Sequence, residues 1–587
     1  MSSVSLSNSR WMDNQNRTLN YLKWVDVERL LYNFRANHGL STKGAAPNGG
    51  WDAPDFPFRT HAQGHYLSAW SYCYASLGDD VCRERATYFV AELAKCQANN
   101  QAVRFTTGYL SGFPESEFAA LEARTLSNGN VPYYAIHKTM AGLLDVWRHI
   151  GDAKAHDVLL ALAGWVETRT SRLSYTQMQA MLGTEFGGMN DVLTDIYRQT
   201  GDKRWLTAAQ RFDHAAVFDP LASDHDQLNG LHANTQVPKW IGASLEYKAT
   251  GTTRYRDIAL NAWNMTVHSH SYAIGGNSQA EHFRAPNAIS GYLSKDTAEA
   301  CNTYNMLKLT RELWALDPTS TSYFDFYERA LLNHLLGQQD PSLSHGHITY
   351  FTPLNPGGRR GVGPAWGGGT WSTDYDSFWC CQGTALETNT KLMDSIYFHD
   401  GDSRLFVNLF TPSVLKWTER GITAKSNPWD LFIRIPSWTT SQVTIRINGQ
   451  QVQNTPFKPG TYAAIKKRAW KSGDTVTVRL PMMLRTVPAN DNPNVAAVTY
   501  GPVVLYGDYG SPTLATMPTL ALDSLRPVDG GKGLQFEGSA DGKTVRLVCL
   551  YRRPNLLPYK YLQYSLVGYL GRAKNGDRRA TPELLRP

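Results

Sequence analysis

Two short segments of the chain contain residues that could together bind a metal ion. The segment FWCCQGT has two adjacent cysteines, Cys380 and Cys381, and the upstream segment DTAEACNTYNM has Glu299 and Cys301. Three thiolates and one carboxylate would satisfy a tetrahedral Zn²⁺ site. Residues at positions i and i+2 point to different sides of a helix. Glu299 and Cys301 could therefore share an ion only in a loop or in a first helical turn.

A simpler interpretation of the same residues is also open. Asp296 followed by Glu299 resembles a capping box, so Glu299 could cap the helix that follows it. The vicinal cysteines could be buried and inert. The other four cysteines lie singly in helix-like or strand-like runs, and we expect them to be small buried hydrophobic residues. They are Cys73, Cys82, Cys96 and Cys549.

The region from about residue 17 to residue 397 has mainly helical periodicity. Four junctions between amphipathic runs share a small polar turn with a glycine, which is the expected left-handed stop of a helix. These glycines are Gly78, Gly151, Gly201 and Gly251, and the segment LDPTSTSYF forms a fifth junction. The spacing predicts helical hairpins of ~50 residues each. Six such hairpins, or about twelve helices, form an (α/α)6 barrel if they close into a ring, and an open solenoid if they do not.

After about residue 399 the pattern changes to short β-branched and aromatic runs separated by turns, including a strong hairpin turn at Asn448-Gly449. The predicted strands are Arg404–Phe410, Ile422–Ala424, Asp430–Ile435, Gln442–Ile447, Thr475–Leu480, Val495–Tyr506 and Thr544–Leu550. We therefore predict a multidomain α+β fold. An N-terminal (α/α)6 barrel occupies residues 1–400, an all-β sandwich residues 401–490, and a second β-rich region with a basic tail residues 491–587.

The composition limits the partners of the chain. Its formal charge of +7 arises mainly in residues 552–587, so no basic stripe is available for a nucleic acid backbone. Aromatic residues make up 12% and charged residues 19%, a balance that suits a neutral polyhydroxylated ligand because sugar rings stack on aromatic faces. No apolar run approaches the ~18 residues of a membrane span, and we expect a soluble protein without a membrane partner.

The cellular location and the oligomeric state are not determined by these patterns. The chain starts with MSSVSLSNSRWM, which has no apolar core of a signal peptide. As it stands, the sequence predicts a cytoplasmic protein. An extracellular location is expected instead if an export leader has been removed.

Eight motifs make the chain resemble glycoside hydrolase family 127, the β-L-arabinofuranosidase family, and its sister families. They are GHYLSAW, VPYYAIHKTMAGLLDVW, HANTQVPKW, QAEHF, AEACNTYNM, YFTPL, FWCCQG and VTYGPVVLYG, and they span most of the chain. The resemblance implies a catalytic barrel in which Glu299, Cys301, Cys380 and Cys381 bind Zn²⁺. It also implies that Cys380 is the nucleophile. An adjacent divalent cation would keep its thiol deprotonated at neutral pH.

The same resemblance implies further site residues. Glu281, in QAEHF, matches the acid/base that protonates the leaving oxygen and then activates water. His137, His232 and Tyr350 match positions that hydrogen-bond the sugar, and His65 lies in the first motif and is also expected to bind substrate. If Glu281 does not act as the acid/base, we would consider two other glutamates next. They are Glu185 and Glu115.

These implications predict a retaining exo-glycosidase that acts on oligosaccharides or glycoconjugates with terminal β-L-arabinofuranosides. One departure matters, because Met189 in FGGMND stands where characterised arabinofuranosidases carry a histidine. A second hypothesis is therefore the same mechanism on another furanose-like sugar. A third is a non-catalytic sugar-binding or structural zinc protein. A polysaccharide lyase is a weaker alternative, since the helical half has no basic cluster for uronate carboxylates.

Overall fold

We describe the fold from a computed structural model. The description covers residues 3–184, 187–358, 360, 370–401, 403–416, 428–452, 457–471, 473–508, 514, 516–528 and 534–549, together with the backbone of 562–567. The predicted strand Ile422–Ala424 and Glu185 lie outside these residues, and so does the basic tail, residues 552–587, apart from the backbone of 562–567.

Helices occupy most of the chain up to residue 390. Their bounds are α1 Arg10–Trp24, α2 Val27–Leu30, α3 Tyr32–Asn37, α4 His61–Leu77, α5 Asp80–Ala98, α6 Glu115–Glu122, α7 Pro132–Ile150, α8 Ala153–Thr170, α9 Tyr175–Leu182, α10 Met189–Thr200, α11 Lys203–Arg211, α12 Ala215–Ala222, α13 Ala233–Thr250, α14 Thr253–Met265, α15 Ala300–Leu316, α16 Ser322–Ala330, α17 Leu336–Gln338 and α18 Cys380–Thr390. Within the described ranges, no helix is long and apolar enough to cross a membrane.

The helices form a closed double ring, which confirms the predicted (α/α)6 barrel. Among the described residues, six inner helices contact one another in the order α4, α7, α10, α13, α15 and α18, and α18 returns to α4. The outer partners of the first five are α5, α8, α11, α14 and α16. The outer partner of α18 is α1, the first helix of the chain. The sixth pair is therefore not a hairpin, because it joins the two ends of the helical region.

The hairpin turns follow the local sequence. Gly78, Gly151, Gly201 and Gly251 all have left-handed backbones and end α4, α7, α10 and α13. In the first three turns an aspartate follows and accepts hydrogen bonds from the first backbone N–H groups of the next helix. Each turn thus stops an inner helix and starts an outer one within a few residues.

Three of the four cysteine predictions were wrong. Cys73 of α4 and Cys82 of α5 form a disulfide across the turn at Gly78, because that turn brings the two helices side by side. Cys549 is only half-buried. Cys96 is free and buried as predicted.

Beyond residue 396 the described chain is built from strands. Their bounds are β2 Tyr397–Asp400, β3 Arg404–Val407, β4 Ser413–Leu415, β5 Trp429–Ile435, β6 Thr444–Ile447, β7 Gln450–Gln451, β8 Thr461–Arg468, β9 Thr475–Leu480, β10 Leu484–Ala489, β11 Asn492–Tyr500, β12 Val503–Asp508, β13 Leu520–Pro527, β14 Gln535–Ala540, β15 Lys543–Cys549 and β16 Leu562–Val567. Before the helices, β1 Val4–Leu6 pairs antiparallel with β4.

The strands form two four-stranded sheets, in the orders β2-β3-β5-β8 and β16-β9-β6-β7, and a six-stranded sheet in the order β10-β11-β12-β15-β14-β13. The four-stranded sheets share one hydrophobic core that includes Leu405, Ile433, Ile445 and Val478, so they pack face to face. The predicted run Val495–Tyr506 is two strands, because a turn at Gly501 divides it. The six-stranded sheet starts at Leu484. The predicted domain boundaries, after residues 400 and 490, stay predictions.

Two inner helices approach each other at glycines. A Cβ on Gly64 of α4 would overlap the carbonyl of Lys138 in α7, and a Cβ on Gly142 of α7 would overlap the backbone of Gly64. The backbones can come this close only because both residues lack a side chain. This contact fixes the spacing between His65, which follows Gly64, and His137, which precedes Lys138.

We predict that Gly64→Ala destabilises the protein by about 3 kcal/mol, since an added methyl group must push two packed backbones apart. Gly164→Ala on the outer helix α8 is the matched control, because no atom lies within 4 Å of a Cβ there. It should be neutral or slightly stabilising. Urea denaturation of both variants measures the difference. Equal midpoints would show that the contact at Gly64 does not limit the packing of α4 on α7.

Candidate active site

The four predicted metal ligands lie together at one mouth of the barrel. The Cys301 Sγ is 2.9 Å from the Cys380 Sγ and 3.0 Å from the Cys381 Sγ, and Glu299 Oε1 is 3.5 Å from the Cys380 Sγ. One ligand atom from each of the four residues lies within 4.8 Å of the others. Two segments 79 residues apart in sequence therefore form one cluster.

Two helix starts position this cluster. Cys301 lies in the first turn of α15, directly after Glu299 and Ala300, and Cys380 and Cys381 are the first two residues of α18. Glu299 occupies the N-cap position of α15, but its side chain makes no capping hydrogen bond, so the capping interpretation was wrong. Its carboxylate instead faces the thiols. The positive ends of two helix dipoles stabilise negative charge at these positions.

The donor set fits a divalent metal ion. All four side chains are buried, and Glu299 Oε2 has no hydrogen-bond partner among the described residues. A buried carboxylate oxygen without a partner is unfavourable unless a cation or water satisfies it. The residues that would hold the ion are Glu299, Cys301, Cys380 and Cys381.

The three thiols are not equivalent. Cys380 is 4% exposed, whereas Cys301 and Cys381 are 0% exposed, so a ligand from outside can reach only Cys380. Burial raises the pKa of Cys380, but hydrogen bonds from the Cys301 and Cys381 thiols outweigh it and hold that pKa well below its usual range. Burial dominates at the other two thiols and raises their pKa values.

Tyr350 connects the thiol cluster to Glu281. Its hydroxyl lies 3.4 Å from the Cys380 Sγ and donates a hydrogen bond to Glu281 Oε1. On the other side of that carboxylate, His232 Nε2 is 3.7 Å from Glu281 Oε2. The Glu281 side chain is 15% exposed, so it borders the opening of the site while the thiols form its floor.

Strained backbone surrounds these residues. Ala280 and Glu281 have φ values of 47° and 67°, and Ala298 and Phe378, just before the two ligand segments, have values of 57° and 49°. Left-handed conformations are unfavourable for residues with a side chain and persist where the surrounding structure enforces them. Backbone hydrogen bonds supply that constraint, including Ala233 N–H to the Glu281 carbonyl at 2.8 Å.

His65 and His137 line the same mouth from α4 and α7. His65 Nδ1 is 2.5 Å from Glu387 Oε1, and Tyr304 donates to the other oxygen of that carboxylate. Burial lowers the pKa of His65. A neutral ring that donates its Nδ1–H to Glu387 leaves Nε2 as a hydrogen-bond acceptor, and this atom is buried without a partner among the described residues.

His137 is held in a similar way. Its Nδ1 is 2.9 Å from the Tyr134 carbonyl, so Nδ1 carries the hydrogen and Nε2 is again the acceptor. The ring packs on Gly188, where a Cβ would overlap it. Burial lowers the pKa of His137 well below its usual range. Both imidazoles are therefore neutral acceptors fixed in one tautomer.

The comparison with known protein families shows which family the chain belongs to. Residues 3–394 match the model described as "Beta-L-arabinofuranosidase, GH127 catalytic domain", and residues 421–482 match the corresponding middle domain. The chain belongs to glycoside hydrolase family 127. As a member of this family it is a glycoside hydrolase and acts on a carbohydrate. The expected family resemblance is thus confirmed.

Two solved structures of family 127 share the fold. A GH127 β-arabinofuranosidase superposes with a TM-score of 0.68 at 18% identity, covering 95% of this chain and 94% of its own. A GH127 β-L-arabinofuranosidase from Geobacillus stearothermophilus T6 gives a TM-score of 0.67 at 18% identity, with 96% of each chain covered. No curated protein matches the sequence significantly.

An aromatic wall beside the family 127 site was missed by the sequence analysis. Trp51 packs its ring 5.9 Å from that of Tyr350 and 4.8 Å from that of Phe58, and Tyr134 stacks on His61 at 5.8 Å. Trp51 and Phe58 are only partly buried, so both are available to a ligand. Trp51 lies in a short 3₁₀ turn and Phe58 in the turns that follow it, where the sequence has no periodicity, and only their aromatic character could have indicated them.

The remaining candidates either belong to the helical scaffold and its core or lie outside the described residues. Glu115 accepts hydrogen bonds from Trp165 Nε1 at 2.8 Å and from the Thr106 backbone, so it serves the helical scaffold. Met189 is the first residue of α10 and is 3% exposed, within the hydrophobic core. It offers no polar group to a sugar.

Proposed function

We propose that the chain is a retaining exo-glycosidase that hydrolyses terminal β-L-arabinofuranosides. In this proposal Cys380 is the nucleophile, Glu281 is the acid/base, and Zn²⁺ is the ion held by Glu299 and the three cysteines. The observation that carries the proposal is that the Cys380 Sγ and the Glu281 carboxylate both contact the hydroxyl of Tyr350. Each contact spans ~3 Å, so the two groups lie within about 6 Å of each other. That separation suits a retaining mechanism.

The choice of zinc follows from the donor types. Thiolates favour soft or borderline ions, and three of them with one carboxylate match the coordination number that Zn²⁺ prefers. When bound, the ion would keep its cysteine ligands deprotonated at neutral pH.

In the first half of the reaction, the Cys380 thiolate attacks the anomeric carbon as the bond from that carbon to the leaving oxygen breaks. Glu281, in its protonated form, donates its proton to this oxygen, and an alcohol leaves. The product is a thioglycosyl group on Cys380. The Tyr350 hydroxyl holds the nucleophile and the acid in fixed relative positions, which lowers the entropic cost of the step.

In the second half, water replaces the leaving alcohol. Glu281, now ionised, takes a proton from the water as its oxygen attacks the anomeric carbon, and the carbon–sulfur bond breaks to restore the thiolate. Configuration is retained because the carbon is inverted twice. The neutral Nε2 atoms of His65 and His137 would accept hydrogen bonds from the sugar hydroxyls, and His232 would bind beside the acid/base.

A second candidate is the same mechanism on a different furanose-like sugar. It is favoured by Met189, which is apolar and buried where characterised arabinofuranosidases carry a histidine. One polar contact to the sugar is then missing, and a hydroxyl that depends on it would be recognised less well.

We predict that the wild-type protein cleaves p-nitrophenyl β-L-arabinofuranoside with a higher kcat/KM than other p-nitrophenyl furanosides and pyranosides. Steady-state kinetics on the panel measure the ratio. A higher value on another furanoside would favour the second candidate. No turnover of any member, in zinc-loaded protein, would favour a non-catalytic binding protein instead.

We predict that Cys380→Ser and Cys301→Ser differ in how much zinc and activity they lose. Cys380→Ser should be inactive but keep part of its zinc, because the bond-forming atom is lost while three ligands stay. Cys301→Ser should lose both zinc and activity, since Cys301 contacts both other thiols. Chelation should also abolish wild-type activity. Metal analysis and turnover are measured together, with Cys96→Ala as a control that keeps both. Near-normal turnover by Cys380→Ser would rule out the covalent role.

We predict that Glu281→Gln separates the two halves of the reaction. Natural oligosaccharides should lose nearly all activity, because their leaving alcohols need a proton, while p-nitrophenolate needs little assistance. A thioglycosyl adduct should accumulate on Cys380 and appear as a mass increase of one sugar residue. Azide needs no base and should partly restore turnover of the activated substrate.

The matched control for this experiment is Glu115→Gln, which alters a glutamate of the scaffold and should accumulate no adduct. Glu281 would be excluded as the acid/base if Glu281→Gln lost equal activity on both substrate types, accumulated no adduct and was not rescued by azide.

A further inference from the structure

A second group of side chains that could hold a metal ion lies beside the end of α1. It consists of His345, His347 and Asp374, and one ligand atom of each lies within 4.8 Å of the others. His345 Nδ1 is 2.9 Å and His347 Nε2 is 3.0 Å from the same atom, Asp374 Oδ1. All three side chains are partly exposed, so an ion from solution can reach them.

The local backbone arranges this convergence. Gly346, between the two histidines, has a φ of 63°. The segment that follows pairs with the segment of Asp374, because Ser372 N–H donates to the Ile348 carbonyl at 2.7 Å. The Tyr21 hydroxyl of α1 also donates to the Asp374 backbone carbonyl at 2.7 Å. Three separate parts of the chain thus hold the ligands in place.

We propose that His345, His347 and Asp374 bind one divalent transition-metal ion, separate from the thiol cluster. Two imidazoles and one carboxylate favour ions such as Zn²⁺, Ni²⁺ or Cu²⁺ over Mg²⁺ and Ca²⁺, which prefer oxygen ligands. Three protein ligands leave a coordination position for water. The proposal does not depend on the proposed glycosidase mechanism.

The position of this site gives it a structural consequence. The residues after His347 lead to Tyr350, and the residues after Asp374 lead to Cys380. An ion bound by both segments would link the chain just before Tyr350, which contacts Glu281, to the chain just before Cys380, the proposed nucleophile. Binding should therefore raise the thermal stability of the barrel mouth.

The test is a calorimetric titration of Ni²⁺ into untagged, full-length protein whose zinc content has first been measured. We expect one further equivalent to bind, with a higher melting temperature. His347→Ala and Asp374→Asn should each weaken this binding at least 10-fold and abolish the rise in melting temperature. The exposed His225→Ala is the matched control and should change neither. Asp374→Asn keeps the size of the side chain, so it decides the question if a histidine variant fails to fold.

A fluorescence measurement locates the ion. The Trp24 ring lies 4.6 Å from that of His345 and is 49% exposed, so bound Ni²⁺ should quench its emission. The quenching should disappear in Trp24→Phe, while the calorimetric binding persists. If Ni²⁺ bound only to the thiol cluster, its binding would instead persist in Asp374→Asn and be lost in Cys301→Ser. Either that result or no additional equivalent in the wild type would overturn the proposal.

Discussion

Closure of the helical ring is the constraint on which the site depends. The last inner helix, α18, packs between α15 and α4 and is covered by α1 from the start of the chain. This closure places Cys380 and Cys381 beside Cys301, although 79 residues separate the two segments in sequence. The inner helices also begin at the same mouth, so the positive ends of their dipoles converge there. A barrel of this kind offers a favourable environment for a cluster of thiolates.

The closed ring also requires polar groups in its interior to find partners. Glu387, about two turns along α18 from the thiols, is buried and contacts both His65 and Tyr304. Burial raises the pKa of Glu387, but the hydrogen bond from His65 and the charges of Lys391 and Lys308 outweigh it and hold the pKa well below its usual range. This buried carboxylate fixes the tautomer of His65 and so determines which nitrogen faces the site. The interior network therefore serves the site as well as the stability of the helices.

Local features of the sequence predicted the helical half well, because glycine stops and aspartate caps act within a few residues. The place of Glu299 and Cys301 at a helix start was predicted in the same way, and this place allows the two side chains to share an ion. Contacts between distant segments were not predictable from local signals. They include the pairing of α1 with α18 and the contact of His65 with Glu387. Tyr350 and Glu281 were found only through family motifs, and their shared hydrogen bond depends on how the two loops pack.

The two adjacent cysteines illustrate how position alone can divide roles between identical side chains. Cys380 and Cys381 are consecutive in the first turn of α18, where side chains diverge by roughly 100°. The Cys381 Sγ points toward the Tyr350 backbone carbonyl, at 3.7 Å, and is fully buried. The Cys380 Sγ points toward the Tyr350 hydroxyl and the opening of the site. One helical step therefore separates a fully enclosed thiol from a thiol that borders the opening of the site.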